Sequence, residues 1–313
     1  MNTAMPLANI TQDTLITFPQ GRTADSSRIL AALICGESDD HPVAGIVTES
    51  TPFHPIDYKW PDQPGDTGRI ETKNGRFLIF DSVVGTVNKS NGQFALDKEI
   101  SVPRGDPSSY FVVVHLTYVL AESNLDCLVG TTAELSVDIH RRKSLSASHT
   151  ASHLAALSLN SATQGFWLKD ITNLDSYGNP DFDQLAIMAS KISVEGSLDR
   201  YRLGKSLRRI GFDTTAFWQA LDTVCNSIQR DLESWTQAAA RIRLQAPNLF
   251  LSTRRKWICD LPHGTAHVPC GGTHPETTEE VGHLAVSLVR DSQQPEVLLQ
   301  TRRMDNRRVK TVP

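Results

Sequence analysis

Long apolar runs are missing from this 313-residue chain. None reaches the ~18 residues that a membrane helix needs, so no membrane partner is expected. The opening residues, MNTAMPLANITQD, lack a basic start followed by an apolar core, and no secretory signal is expected. No CxxC pair occurs. The five cysteines (Cys35, Cys127, Cys225, Cys259 and Cys270) are odd in number and far apart, which argues against a disulfide framework and for a reducing, cytoplasmic setting. Neither a Walker A loop nor a dinucleotide fingerprint is present, so nothing points to nucleotide use. There is no internal repeat and no low-complexity tract. Positive charge is also not in excess. Thirty-one Lys and Arg stand against 35 Asp and Glu, a net charge of −4, which excludes a uniformly basic nucleic-acid binder and gives no reason to expect a DNA partner.

What is present is an ordinary globular composition, long enough for two domains. Residues 1–140 read as β-rich and suggest a small β-barrel domain. Gly45–Thr48, Arg76–Phe80 and Val83–Val87 are strand-like runs, while Tyr110–Leu116 fits a strand or a buried helix. Asn74-Gly75 and Asn91-Gly92 are expected hairpin turns, because a type I′ turn needs positive φ at both central residues. Residues 141–313 read as a second, α/β domain, making the chain α+β overall. Ser144 or Ser146 is expected to cap a helix running through Ser148 to Ala162. A largely helical insertion is expected over about 175–240, with helices at Tyr201–Arg209 and Asp213–Ala240. Antiparallel strands return after Pro247, at Trp257–Cys259, Leu284–Val289 and Glu296–Gln300.

Two short segments carry chemistry. The first is His149-Thr150-Ala151-Ser152-His153, where two imidazoles four residues apart share one face of a helix and can share one metal ion. The second is Cys270-Gly271-Gly272-Thr273-His274, where a glycine pair lets a thiolate and an imidazole converge. Three His and one Cys suit tetrahedral zinc. Either spacing alone arises readily by chance in a chain with ten histidines. His263 and His267, in a Gly- and Pro-rich stretch, are expected at the surface, with His267 a rival ligand.

These two segments, HTASHLAAL and CGGTH, resemble the metal motifs of the alanyl-tRNA editing domain, found in alanyl-tRNA synthetase and in free-standing AlaX proteins, and related to the editing domain of threonyl-tRNA synthetase. Thr51-Pro52-Phe53-His54-Pro55 and Gln63-Pro64-Gly65-Asp66-Thr67-Gly68 resemble the N-terminal barrel motif of longer AlaX proteins, and the three motifs occur in that family's order. The chain departs from the pattern at Ile56–Asp62, which lacks the usual glycine run, and in the long stretch 154–269 between the metal motifs.

The resemblance implies a zinc-dependent, trans-acting deacylase that hydrolyses the ester of mischarged tRNA, with serine or glycine on the alanine tRNA. His149, His153, Cys270 and His274 would line the metal site. Thr150 and Thr273 are candidates to pair the substrate's hydroxyl, whereas Ser152 is expected to cap or pack. Gln63, Asp66, Thr67, Gly271 and Gly272 are candidate substrate contacts. A chain without activation machinery is expected to hydrolyse without ATP. Two alternatives stand beside this reading: a metal-dependent hydrolase of another acyl ester or amide, and a non-catalytic tRNA-binding module with structural zinc.

Charge is uneven along the chain. Between 201 and 260, ten basic residues face five acidic ones, and Arg302, Arg303, Arg307, Arg308 and Lys310 stand against Asp305 in the tail. Arg208, Arg209, Arg254, Arg255 and Lys256 are therefore candidate contacts to a phosphate backbone, with a solvated helix face as the plainer alternative.

Overall fold

A computed structural model describes residues 7–304. It is a mixed α/β protein with several antiparallel sheets and few helices. The chain divides into two compact units. Among the described residues, the first comprises 7–142 and 246–255, the second 143–245 and 256–304.

The first unit is built on strands β1 (Leu15–Ile16), β2 (Ala24–Ser38), β3 (His41–Thr48), β4 (Ser50–Thr51), β5 (Gly68–Thr72), β6 (Gly75–Ile79), β7 (Asp81–Asn88), β8 (Phe94–Leu96), β9 (Ser109–Tyr118) and β10 (Thr132–Val137). Eight of these join in the order β6-β5-β10-β2-β3-β9-β7-β8. Strand β2 is the hinge of this sheet. Its first residues pair with β10 and its later ones with β3, and register shifts at Ile29/Ala31 and Ile34/Gly36 mark bulges between them. A bulge inserts an unpaired residue and bends the strand, so one long strand serves two differently directed halves. The sheet packs apolar residues on both faces: Ile29, Ile46, Phe53, Ile70 and Leu135 form one cluster, and Leu30, Val47, Val112 and Val114 another. Of the expected small barrel, the antiparallel sheet is what is seen; the end strands β6 and β8 are not paired with each other among the described residues. Tyr110–Leu116 is a strand, within β9.

The Asn74-Gly75 turn is displaced by one residue from its expected place. Thr72 pairs with Gly75, so the loop residues are Lys73 and Asn74, and only Gly75 has positive φ, at 153°. The β7–β8 loop likewise uses positive φ at Gly92 alone, at 69°.

The second unit contains most of α1 (Ile139–Ala162), then α2 (Phe182–Ala186), β11 (Ile187–Ser193), β12 (Gly196–Arg202), α3 (Lys205–Ile210), α4 (Thr214–Gln219), α5 (Leu221–Gln237), β13 (Ile242–Gln245), β14 (Lys256–Leu261), β15 (Gly264–Pro269), β16 (Leu284–Arg290) and β17 (Glu296–Arg303). Its sheets are ordered β11-β12-β17-β16 and β13-β14-β15.

Helix α1 starts earlier than expected. Asp138, not Ser144 or Ser146, is its cap, accepting the Arg141 N–H through its carboxylate at 3.0 Å. At the other end Thr163 Oγ1 donates to the Leu159 carbonyl at 2.7 Å. Ala147, Ala151, Leu154, Ala155, Leu157 and Leu159 are buried along α1, and so are Ser148, Thr150, Ser152 and Ser158. A helix enclosed on most sides has no single apolar stripe. Helix α5 is the contrast, with Val224, Ile228, Leu232 and Trp235 facing the core at helical spacing.

The stretch 175–240 carries the helices α2 to α5 and, besides them, a hairpin that was not expected. Its hairpin β11–β12 joins the four-stranded sheet through β17, and Tyr201, expected to begin a helix, is a fully buried strand residue. The alternating burial of β12 places every second side chain in the core, a period of two that the arginines on its outer face obscure in the sequence. The long helix expected over Asp213–Ala240 is two helices that break at Ala220, and Asp213 caps the first by accepting the Thr215 and Ala216 N–H groups. No helix among the described residues is long and apolar enough to cross a membrane.

Candidate metal centre

Helix α1 brings His149 and His153 to one face, with ring centroids 4.7 Å apart. The segment after β15 supplies Cys270 and His274. Cys270 Sγ lies 3.6 Å from His149 Nε2 and 3.3 Å from His274 Nε2, and the ligand atoms of all four residues lie within 4.8 Å of one another. With zinc bonds of about 2.0–2.1 Å to nitrogen and about 2.3 Å to sulfur, a tetrahedron has ligand-to-ligand edges of about 3.3–3.6 Å. The two sulfur distances match that range. His153 Nε2 is buried and has no hydrogen-bond partner among the described residues. A buried polar atom left unpaired is costly, and a shared cation would satisfy it. The donor set therefore fits a metal ion, and zinc is compatible with it.

Burial also sets the right protonation. It pushes the His149 imidazole down to about 4. The His153 imidazole lies well below its ordinary value, first through burial and second through the neighbouring His149. Both rings are neutral at neutral pH, the form that ligates a metal. Around the four side chains, hydroxyls hold the geometry. Thr150 Oγ1 lies 2.9 Å from His274 Nδ1. When Nε2 serves as the ligand atom, Nδ1 carries the ring proton and donates it to Thr150, which fixes the tautomer and the ring plane. Thr273 Oγ1 lies 2.7 Å from Ser146 Oγ, tying the CGGTH turn to α1. The Gly272 N–H points to Cys270 Sγ at 3.4 Å, an interaction that favours a thiolate. Gly271 is exposed and Gly272 buried.

The other expected residues are placed differently. His267 is exposed on β15 opposite Ile258 and is not among the four converging side chains, and His263 is exposed in the adjoining turn. Ser152 donates to both carboxylate oxygens of buried Asp199 at 3.2 and 3.1 Å, a packing role. Gln63, Asp66 and Thr67 lie in the first unit. Asp66 is fully buried, and its carboxylate accepts from Arg142 Nε at 2.9 and 3.0 Å. Arg142 also donates to the Pro52 carbonyl at 2.7 Å. This ion pair ties the barrel-like motif to the start of α1 within the first unit. A Cβ at Gly65 would lie 2.1 Å from the Ser82 carbonyl oxygen, which is why the motif needs glycine there.

Of the candidate phosphate contacts, Arg208, Arg209, Arg254 and Lys256 are exposed, whereas Arg255 is buried, packed over the Phe18 ring and donating to the Thr253 carbonyl at 3.0 Å. Arg255 is thus not a surface contact. Arg302 and Arg303 lie in β17, while Asp305, Arg307, Arg308 and Lys310 fall outside the described residues.

Sequence reasoning missed Trp257. It is fully buried on β14, with its ring centroid 5.1 Å from that of His153 and 6.0 Å from that of His274. It forms an apolar wall beside two of the ligands, and its only sequence signal was a strand-like Trp-Ile-Cys run. The chain matches no protein-family model and no curated protein sequence.

Proposed function

We propose that the protein is a zinc-dependent hydrolase acting on the ester of a mischarged tRNA, with serine or glycine on the alanine tRNA, in the cytoplasm. The carrying observation is the convergence of His149, His153, Cys270 and His274, with His153 Nε2 otherwise unsatisfied. The resemblance of HTASHLAAL and CGGTH to the metal motifs of the alanyl-tRNA editing domain, and of Thr51–Pro55 and Gln63–Gly68 to the barrel motif of longer AlaX proteins, supplies the substrate class. In this reading the first unit is the small barrel and the second the deacylase domain.

Zinc held there would polarise an ester carbonyl or activate water. The chain's own residues do the rest. Thr150 holds His274 in one tautomer, and Ser146 and Thr273 hold the turn. Serine differs from alanine by one hydroxyl. A synthetic pocket rejects such an added group poorly, and an editing site that must pair the hydroxyl rejects alanine strongly.

A saturated set of four protein ligands is also what a structural zinc site has, and this favours a second reading, a non-catalytic tRNA-binding module. A panel of mischarged tRNAs with and without chelator separates the two. The deacylase reading expects release of serine or glycine without ATP, stopped by chelation. No release from any charged tRNA, together with unfolding on chelation, would establish the second reading.

A further inference from the structure

Strand β12 leaves the sheet at Arg202, and α3 begins three residues later. Leu203 and Leu207 are buried and anchor the junction, and the Leu203 N–H donates to the Pro295 carbonyl at 2.7 Å. This arrangement turns Arg202, Lys205 and Arg208 onto one surface pocket of about 580 Å³. Its remaining lining includes Ile187, Met188, Ser206 and Pro295. All three cations are exposed, and none has an ion pair among the described residues. Glu296 stands opposite Arg202 across β12 and β17, but its carboxylate lies 3.6 Å from Arg200 instead.

Three like charges gathered on one pocket repel each other. An anion bound among them turns the repulsion into attraction. Arginine's planar fork matches the oxygens of a phosphate, and lysine adds a movable point charge. We propose that Arg202, Lys205 and Arg208 form a phosphate-binding site. The phosphate is that of an RNA backbone, or free phosphate. The first source rests on the functional reading above; the chemistry of the pocket does not.

The test uses the full chain and uncharged tRNA, which has no ester to cleave, so its outcome is separate from that of the deacylase reading. Binding is measured by fluorescence anisotropy across a salt series. The variant Arg202→Gln/Lys205→Gln/Arg208→Gln is compared with Lys191→Gln/Arg230→Gln/Arg241→Gln, which removes the same charge from exposed positions elsewhere in the same unit. Circular dichroism checks that both fold. For an RNA backbone, the pocket variant loses at least tenfold in affinity and the slope of log K against log salt flattens by about 2, since each lost phosphate contact removes about 0.7–0.9. The control variant loses far less. In a second arm, inorganic phosphate is titrated while backbone amide shifts of Lys205 and Ser206 are followed by NMR. Saturable shifts that vanish in the pocket variant, without an RNA effect, identify free phosphate as the occupant. Equal losses in the two variants together with no saturable phosphate shifts overturn the proposal.

Discussion

Buried histidines occur in both units, and their surroundings differ in one respect. In the first unit His115 is fully buried and satisfied on both ring nitrogens: Nδ1 lies 2.7 Å from the Ile46 carbonyl and Nε2 lies 2.8 Å from Thr51 Oγ1. Burial lowers its imidazole to about 4, as it does for His149. In the second unit His153 Nε2 has no such partner, and two more imidazoles and a thiol face the same point. Burial and a depressed basicity are common to both sites. The unpaired nitrogen with converging donors separates a candidate ligand from a core histidine.

The sharpest way to break this comparison is to remove one histidine from each unit. His149→Ala or Cys270→Ala should reduce bound zinc to background and abolish deacylation with it. His115→Ala should leave zinc stoichiometry unchanged while lowering the melting temperature, because it opens a cavity and strands Thr51. Metal analysis and thermal melts on purified protein read both. Full activity of the zinc-free His149→Ala protein would falsify the functional reading.

Buried charge offers a second contrast. In the first unit Asp66 has Arg142 as its partner. Arg142→Met should destabilise the protein by about 3–5 kcal/mol in denaturant unfolding, because it leaves a buried carboxylate uncompensated. In the second unit Asp183 has no ion-pair partner among the described residues. Burial, then Asp199 and Asp181, push its carboxyl up to about 7, against the hydrogen bond from Tyr201 OH at 2.8 Å. The folded protein keeps the Asp183 proton up to about pH 7, whereas the unfolded chain releases it near the ordinary carboxyl value of 3.8. This stabilisation is fully present below pH 3.8 and is lost as pH rises towards 7. Asp183→Asn keeps an acceptor for Tyr201 and should remove that fall, an effect of up to about 4 kcal/mol. An unchanged pH–stability profile would place the proton elsewhere in the network.

The smallest effect expected concerns Thr150. Thr150→Val keeps the shape but loses the acceptor for His274 Nδ1, and should weaken zinc binding about 10–100-fold in a chelator competition while leaving His149 and His153 in place. Wild-type affinity in this variant would reduce Thr150 to packing.

The two His and Cys pairs that converge were legible in the sequence because each pair depends on local geometry. Four residues along a helix make one turn whatever surrounds it, so His149 and His153 had to share a face once α1 formed. The rest of the site was hidden. Trp257 and Ser146 are ordinary core and helix residues in the sequence, and become walls and props only when β14 and α1 pack around the cluster. The hairpin β11–β12 was also hidden, because Arg200 and Arg202 on its outer face make the stretch look like a charged helix. Arg255 looked like one of three adjacent surface cations, and only the Phe18 ring above it shows that it is a core residue.

By itself, the sequence determined the periodic and local features of this protein: the spacing of its His and Cys pairs, the helix start at Asp213, the strand runs and the uneven charge. The tertiary structure decided what those features are for. It chose His274 over His267, committed Asp66 to Arg142, and gathered Arg202, Lys205 and Arg208 around one pocket. The reason is range. Helical and strand periods are set by neighbours a few residues apart, whereas a ligand sphere, a buried ion pair or a cationic pocket joins residues that are distant in the chain and acquires meaning only through the packing that brings them together.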